Sequence, residues 1–232
     1  QLIDSFTLYN GLLDGGKASD FAKNVKGIYD RGQPLVQLGM VVGTGFSTSF
    51  IPMMSQAHAQ NRQNEFTRSA MSLLRMTSVF SAAAVTGLLA ILPNVNNMLF
   101  GDREGIAVLS VYILAIFAAS IMTAYHSILQ SLGQYKISLV ALAAGLTVKF
   151  FGNLLLVEPL GTMGASIALI AGLAAMVLVL WMNSERALRD VWFTDHFVRK
   201  LLAGCLVLFV TVWALRVGLE RYLFTDGGRL TD

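Results

Sequence analysis

The chain has 232 residues, 55% of them hydrophobic and only 13% charged, with mean hydropathy +0.61 and formal net charge +3. Soluble domains carry about 25% charged residues to keep their surface wet, so a water-soluble globular domain is excluded. Nucleic-acid binding is excluded as well. The 17 Lys and Arg are scattered among apolar runs, with no basic stripe interleaved with aromatics. The modest basic excess suits loops beside anionic lipid headgroups.

The predicted elements follow from where charge is missing. Gln1 to Leu13 is apolar apart from Asp4 and reads as the end of a helix that starts upstream. No Asp, Glu, Lys or Arg occurs from Gly32 to Ala57, from Met76 to Gly101, from Gly105 to Tyr135 or from Pro159 to Ser184. A fifth run, Ile137 to Val157, is broken only by Lys149, and a shorter sixth, Leu201 to Leu215, is rich in Leu and Val. A bilayer crossing needs about 20 apolar residues, so each of the four uncharged runs is long enough. Helices are required, because backbone groups in lipid must be satisfied within the segment. A β-barrel would show alternating stretches of about ten residues instead. The expected fold class is all-α, a polytopic transmembrane bundle of about seven helices, and residues 1–232 form one domain cut at both ends. The connections are placed at 14–26, 55–68, 94–104, 131–136, 158–162 and 183–200. They are short, so sequential helices are antiparallel neighbours. Gly39 and Gly43 form a GxxxG pair, while Gly161, Gly164, Ala165 and Ala168 mark a second face for close packing.

Four charged residues stand at or inside these apolar runs: Asp4, Asp30, Arg31 and Lys149. A charge at the bilayer centre costs about 2.5–3.5 kcal/mol on insertion scales, and such residues usually face a cavity or a partner. Asn153 lies one turn beyond Lys149, on the same helix face. Transport or coupling is one role for this pair. A purely structural pairing of Lys149 with Asp4 is the other. Asp30 and Arg31 precede Gly32 and Pro34, which predicts a broken or kinked entry into the crossing. Arg31 could then aim into a central space, where its planar fork suits phosphate. Alternatively, Asp30 and Arg31 anchor the helix at the interface beside Tyr29. His126 reads as headgroup-level polarity, and Trp181, Trp192 and Trp213 as an aromatic belt. Cys205 stands alone and reads as a small lipid- or core-facing residue. No catalytic triad, paired-carboxylate site, phosphate loop, cofactor motif or metal-spaced cluster is present, so the reading is a non-enzyme without cofactor or metal. Lys and Arg divide eight to seven between the two membrane faces. This leans toward placing the 55–75 loop in the cytoplasm without settling it.

Particular strings then carry a resemblance. Ile28-Tyr29-Asp30-Arg31-Gly32-Gln33-Pro34-Leu35 leads into a small-residue helix that closes with Phe50-Ile51-Pro52. Leu129-Gln130-Ser131-Leu132-Gly133-Gln134, Lys149-Phe150-Phe151-Gly152-Asn153 and Glu158-Pro159-Leu160-Gly161-Thr162-Met163-Gly164-Ala165 follow in order. The series resembles the C-terminal half of a flippase of the multidrug/oligosaccharidyl-lipid/polysaccharide exporter superfamily, in particular the MviN-type lipid II flippases and their relatives in Gram-positive bacteria. The resemblance implies a two-lobe transporter of about fourteen helices, of which this chain supplies the seventh to the thirteenth. It implies a multi-pass protein of the bacterial plasma membrane with the 55–75 loop inside. The cargo would be a lipid-linked saccharide diphosphate, and the partners membrane lipids and a missing N-terminal lobe, with no nucleic acid.

By the same resemblance Arg31, with Asp30 and Gln33 beside it, handles the diphosphate. Some relatives hold sodium between the seventh, eleventh and twelfth helices. Asp4 and Asn153 fall where such oxygens could come from, and Lys149 occupies the neighbouring position. An ammonium bridging Asp4 and Asn153 would replace the ion. Alternative cargoes are another lipid-linked polysaccharide or a drug; Arg31 and Lys149 favour an anion. A seven-helix receptor or retinal protein is the remote alternative, weakened because Lys149 lies in the fifth crossing rather than the last.

Overall fold

The computed structural model describes residues 26–226 apart from residue 103 and residues 193–195. The expected first crossing, with Asp4, lies outside the described residues. Eight α-helices follow the helical turn at 26–30: α1 (Gly32–Ala59), α2 (Gln63–Phe100), α3 (Ile106–Ile113), α4 (Ala115–Ser131), α5 (Tyr135–Leu160), α6 (Thr162–Met182), the short α7 (Arg186–Arg189) and α8 (Phe197–Asp226). No strand occurs among the described residues. Five spans are long and apolar enough to cross a membrane, α3 and α4 together making one of them, and a bent pair containing α1 makes six. The chain is an all-α polytopic membrane bundle.

Three connections are shorter or more ordered than the sequence predicts. The loop expected at 55–68 shrinks to residues 60–62, because α1 continues through Pro52 and α2 begins at Gln63. The loop expected from 94 is helix as far as Phe100, with Pro93 inside α2. Neighbouring groups in a membrane bundle can satisfy what a proline leaves open, so Asn94, Asn96 and Asn97 do not end the helix. The 183–200 connection holds α7 and a 3-10 turn at Asp190–Trp192. Trp181 donates to the Arg189 carbonyl at 3.4 Å there, and Trp192 follows on the same connection. Trp213, expected near a helix end, sits in the interior of α8, which runs on to Asp226.

The entry to α1 also departs from expectation. Arg31 has φ −59° and ψ −26°, ordinary helical values, and its N–H reaches the Gly27 carbonyl at 3.3 Å. Pro34 has no N–H to give to the Asp30 carbonyl, and that missing bond is why the regular helix restarts at Gly32. The larger bend lies deeper: the crossing turns by 41° between Val41 and Gly43.

α1 packs on α2 and α4, α4 on α2 and α6, α5 on α6, and α8 on α2. In lipid there is little hydrophobic gain from bringing helices together, so close van der Waals approach does the work. Gly39 and Gly43 supply it as predicted: a methyl group added at Gly39 would fall 2.5 Å from Ile116 Cδ1, and one at Gly43 3.3 Å from Ser120 Oγ. The α5–α6 hairpin uses the second small-residue face. Gly152 lies against Ala168, and any Cβ on Gly164 would overlap the Leu156 carbonyl. Two core clusters cap the bundle. Phe66, Leu74, Tyr125 and Leu180 meet toward one end, and Leu35, Leu92, Leu109 and Ile116 toward the other.

Candidate functional site

The second end holds the site. α1 begins there, α2 ends there, and the two meet through one ion pair. Arg31 donates from Nη1 to Asp102 Oδ1 at 2.6 Å and from Nη2 to Asp102 Oδ2 at 2.9 Å. This is the parallel two-bond geometry that guanidinium and carboxylate favour. The Phe100 ring covers the guanidinium at 4.8 Å. The Arg31 side chain is 18% exposed and that of Asp102 35%, so the pair is reachable from outside.

The turn that presents Asp102 is built independently of Arg31. Gly101 and Gly105 both sit at positive φ, 75° and 69°, where a side chain would be strained. Asn96, fully buried in the last turns of α2, donates from Nδ2 to the carbonyls of Asp102 at 3.2 Å and Glu104 at 3.0 Å. The Glu104 N–H donates to Asp102 Oδ1 at 3.0 Å. Hydrogen bonds from Arg31, then from the Glu104 backbone, hold the Asp102 carboxyl below the ordinary carboxylate range.

Beside Arg31, Gly32 lies against the Tyr112 ring: a Cβ there would come within 2.6 Å of it. Tyr112 meets Tyr29 edge-on with ring centroids 5.0 Å apart, and both pack with Val157 and Ala165 from the α5–α6 hairpin.

Asp30, Arg31 and Gln33 share the opening turn, but they do not act alike. Arg31 turns to Asp102 rather than standing free in a central space, because a bidentate carboxylate is within reach. Asp30 is exposed and Gln33 half-buried. They open a polar stripe that descends α1 at helical spacing through Gln37, Thr44 and Thr48, all three exposed, with Ser49 beside it. The hydroxyls of Thr44, Thr48 and Ser49 bond to carbonyls of their own helix at 2.9, 3.0 and 2.9 Å. The exposed surface of α1 is mixed, since Leu38, Val41 and Met53 stand among these groups, while the outward faces of α5 and α8 are more apolar, with Leu139, Leu155, Leu206 and Val210 typical of them.

Lys149 and Asn153 form a second, separate place. Asn153 is fully buried and Lys149 half-buried on α5. The Lys149 backbone lies against Gly172 of α6. Asn153 stands one turn before Val157, which touches the tyrosine pair, but neither residue joins Arg31 directly. Their expected partner Asp4 lies outside the described residues. His126, read as headgroup-level polarity, lies 2.9 Å (Nδ1) from the Ser138 hydroxyl on α5, a tie between helices. Among the described residues no group of three His, Cys, Asp or Glu could hold a metal.

Sequence reasoning missed Asp102 and Asn96. The signal for Asp102 was an acid between two glycines, Gly101 and Gly105, in the connection expected at 94–104. Nothing in the sequence pairs residues 31 and 102.

The uncharacterized membrane protein YabM of Bacillus subtilis (strain 168) is 41% identical to this chain over 230 residues, covering 99% of the chain and 42% of that relative. The chain thus spans less than half the length of this curated relative. No solved structure matches it. The family profile described as lipid II flippase MurJ matches residues 8–226, and the chain belongs to that family.

Proposed function

We propose that the whole protein flips a lipid-linked cell-wall precursor, lipid II or a related undecaprenyl-diphosphate saccharide, across the bacterial plasma membrane. This chain supplies one lobe, which rocks against an N-terminal lobe by alternating access. The carrying observation is the combination at α1: an accessible arginine at the start of a helix whose exposed face holds Gln37, Thr44, Thr48 and Ser49 among the apolar Leu38 and Val41. The exposed hydroxyls are satisfied within their own helix, but an exposed amide such as Gln37 is of little use against lipid and suits a helix lining a path for a sugar. Arg31, flanked by Asp30 and Gln33, meets the diphosphate, for which a planar, permanently charged fork is the suited group. Lys149 and Asn153 supply fixed polarity within the hairpin, and Lys149 takes the place of a bound cation beside Asp4. The loop at 60–62 lies in the cytoplasm, as the family resemblance implies and as the eight-to-seven charge split leans. Another lipid-linked polysaccharide would use the same groups. A cationic drug would need acids along the α1 stripe, and below Asp30 that stripe carries amides and hydroxyls. Family membership sets the receptor and retinal readings aside.

The test is complementation by the full-length protein carrying Arg31→Ala in cells that depend on it. Loss of growth with normal membrane levels is expected. Growth at the wild-type rate refutes the assignment of Arg31.

A further inference from the structure

We propose that Asp102 is a built-in competitor for the cargo: its carboxylate occupies the Arg31 fork that a diphosphate would take, so loading displaces Asp102 and recapture by Asp102 helps expel the cargo. This deepens the reading above and rests on Arg31 being the diphosphate contact.

Geometry sets the two anions in competition for the end-on edge of the guanidinium. Both terminal nitrogens of Arg31 are engaged, each by one Asp102 oxygen, at 2.6 and 2.9 Å. A phosphate approaching end-on needs the same two N–H groups. Phe100 covers one face of the guanidinium at 4.8 Å, which leaves the edge as the approach. Charge points the same way. Paired with Asp102, the Arg31 fork offers a diphosphate no unneutralised charge, and opening the pair frees it.

The pair is also poised to open. The turn carrying Asp102 keeps its shape through Asn96, the Glu104 N–H and the two left-handed glycines, none of which depends on Arg31. Release therefore need not unfold the turn. At 18% and 35% side-chain exposure the pair is wet enough for its Coulomb energy to be screened, and exposed ion pairs are weak locks. A diphosphate, with more charge than one carboxylate, can win the exchange.

The experiment uses the full-length protein, with farnesyl diphosphate as the binding probe and a reconstituted flipping assay. Apparent affinity equals intrinsic affinity scaled by the unmasked fraction. Asp102→Asn should bind farnesyl diphosphate about fivefold more tightly, equivalent to about 1 kcal/mol at 1.4 kcal/mol per tenfold. It should flip more slowly, because nothing recaptures Arg31. Asp102→Glu keeps the charge and should stay within about twofold of wild type on the same scale. Asp102→Ser repeats the test should the amide destabilise the turn. The double exchange Arg31→Asp with Asp102→Arg should recover the thermal stability lost in Arg31→Asp alone, yet bind no probe and not flip.

Unchanged or weaker binding in both Asp102→Asn and Asp102→Ser, with Arg31→Gln abolishing binding, overturns the competitor role and leaves the Arg31 reading standing. Unchanged binding in Arg31→Gln overturns that reading itself. Full flipping by the double exchange would reduce the pair to a structural staple.

Discussion

The turn that presents Asp102 stands or falls with one buried amide, so Asn96 is the residue to perturb. Asn96→Asp keeps the shape of the side chain and removes both N–H donors. The carbonyls of Asp102 and Glu104, now 3.2 and 3.0 Å from Nδ2, would then face an acceptor. Two lost hydrogen bonds at about 0.5–1.5 kcal/mol each amount to about 1–3 kcal/mol, and acceptor–acceptor repulsion or the burial of a carboxylate adds to it. Asn96→Ala loses the same two bonds without that repulsion. It also removes Oδ1, which is buried with no partner among the described residues, so its cost lies toward the lower end. The expected order of stability is wild type, then Asn96→Ala, then Asn96→Asp, measured as unfolding free energy of the full-length protein in mixed micelles at pH 7. Lowering the pH should partly restore Asn96→Asp alone, because a protonated carboxyl regains one donor. An Asn96→Asp variant as stable as wild type, or more stable than Asn96→Ala at pH 7, would refute the claim that amide donation holds this turn.

Three further outcomes are expected. Gly164→Ala puts a Cβ into the Leu156 carbonyl and should cost about 1–3 kcal/mol as overpacking does, whereas Gly204→Ala, with nothing within 4 Å, should be neutral or gain about 0.5–1 kcal/mol of helix propensity; equal effects in an unfolding assay would contradict the hairpin geometry. Because the folded Asp102 carboxyl is depressed, its contribution to stability is complete above the ordinary value of about 3.9 and lost only as pH falls through the depressed one. The gap between wild type and Asp102→Asn should therefore hold down to about pH 4, and a gap already closed at pH 6 would be inconsistent with the pairing. Replacing sodium by potassium or choline in the flipping assay should leave the rate unchanged if Lys149 stands in for a cation, and a sodium requirement would end that idea.

The spans and their order were legible because lipid forbids unpaired charge, so the charge-free runs had to be crossings. The same logic put the connections at 14–26 and 94–104 on one face, without picking out Asp102 there. What sequence could not supply was the state of individual residues. Polar Asn94, Asn96 and Asn97 next to Pro93 read as a loop, since local propensity assigns these types to turns. In the fold Asn96 stays helical because its amide has two carbonyls to satisfy. Arg31 read as free to enter a cavity because its partner lies 71 residues away. The small-residue faces were read correctly, since Gly39, Gly43 and Gly164 serve close approach by lacking a side chain, and that property is local. The Lys149–Asp4 pairing remains a proposal, with Asp4 outside the described residues.

Arg31 and Lys149 looked alike in the sequence, two costly cations at or within apolar helices, yet the fold gives them opposite mechanical characters. Lys149 belongs to a hairpin whose helices meet through backbone: Gly145 lies against the Gly172 carbonyl, Gly172 against Lys149, and Gly164 against Leu156. Helices in such close contact resist sliding past each other, so Lys149 and Asn153 are expected to move with the hairpin as a unit. Arg31 sits instead at a helix start, inside the turn whose Asp30–Pro34 bond is missing, and is held by a partly exposed side-chain pair. A packed interface resists small displacement, whereas a wet ion pair has a second partner available whenever an anion arrives. On the proposed mechanism the exchange falls to Arg31 and Asp102, with Lys149 as a fixed charge carried by the hairpin. The tyrosine pair against Val157 and Ala165 is where the two meet, and displacement of α1 at its entry would be felt there first.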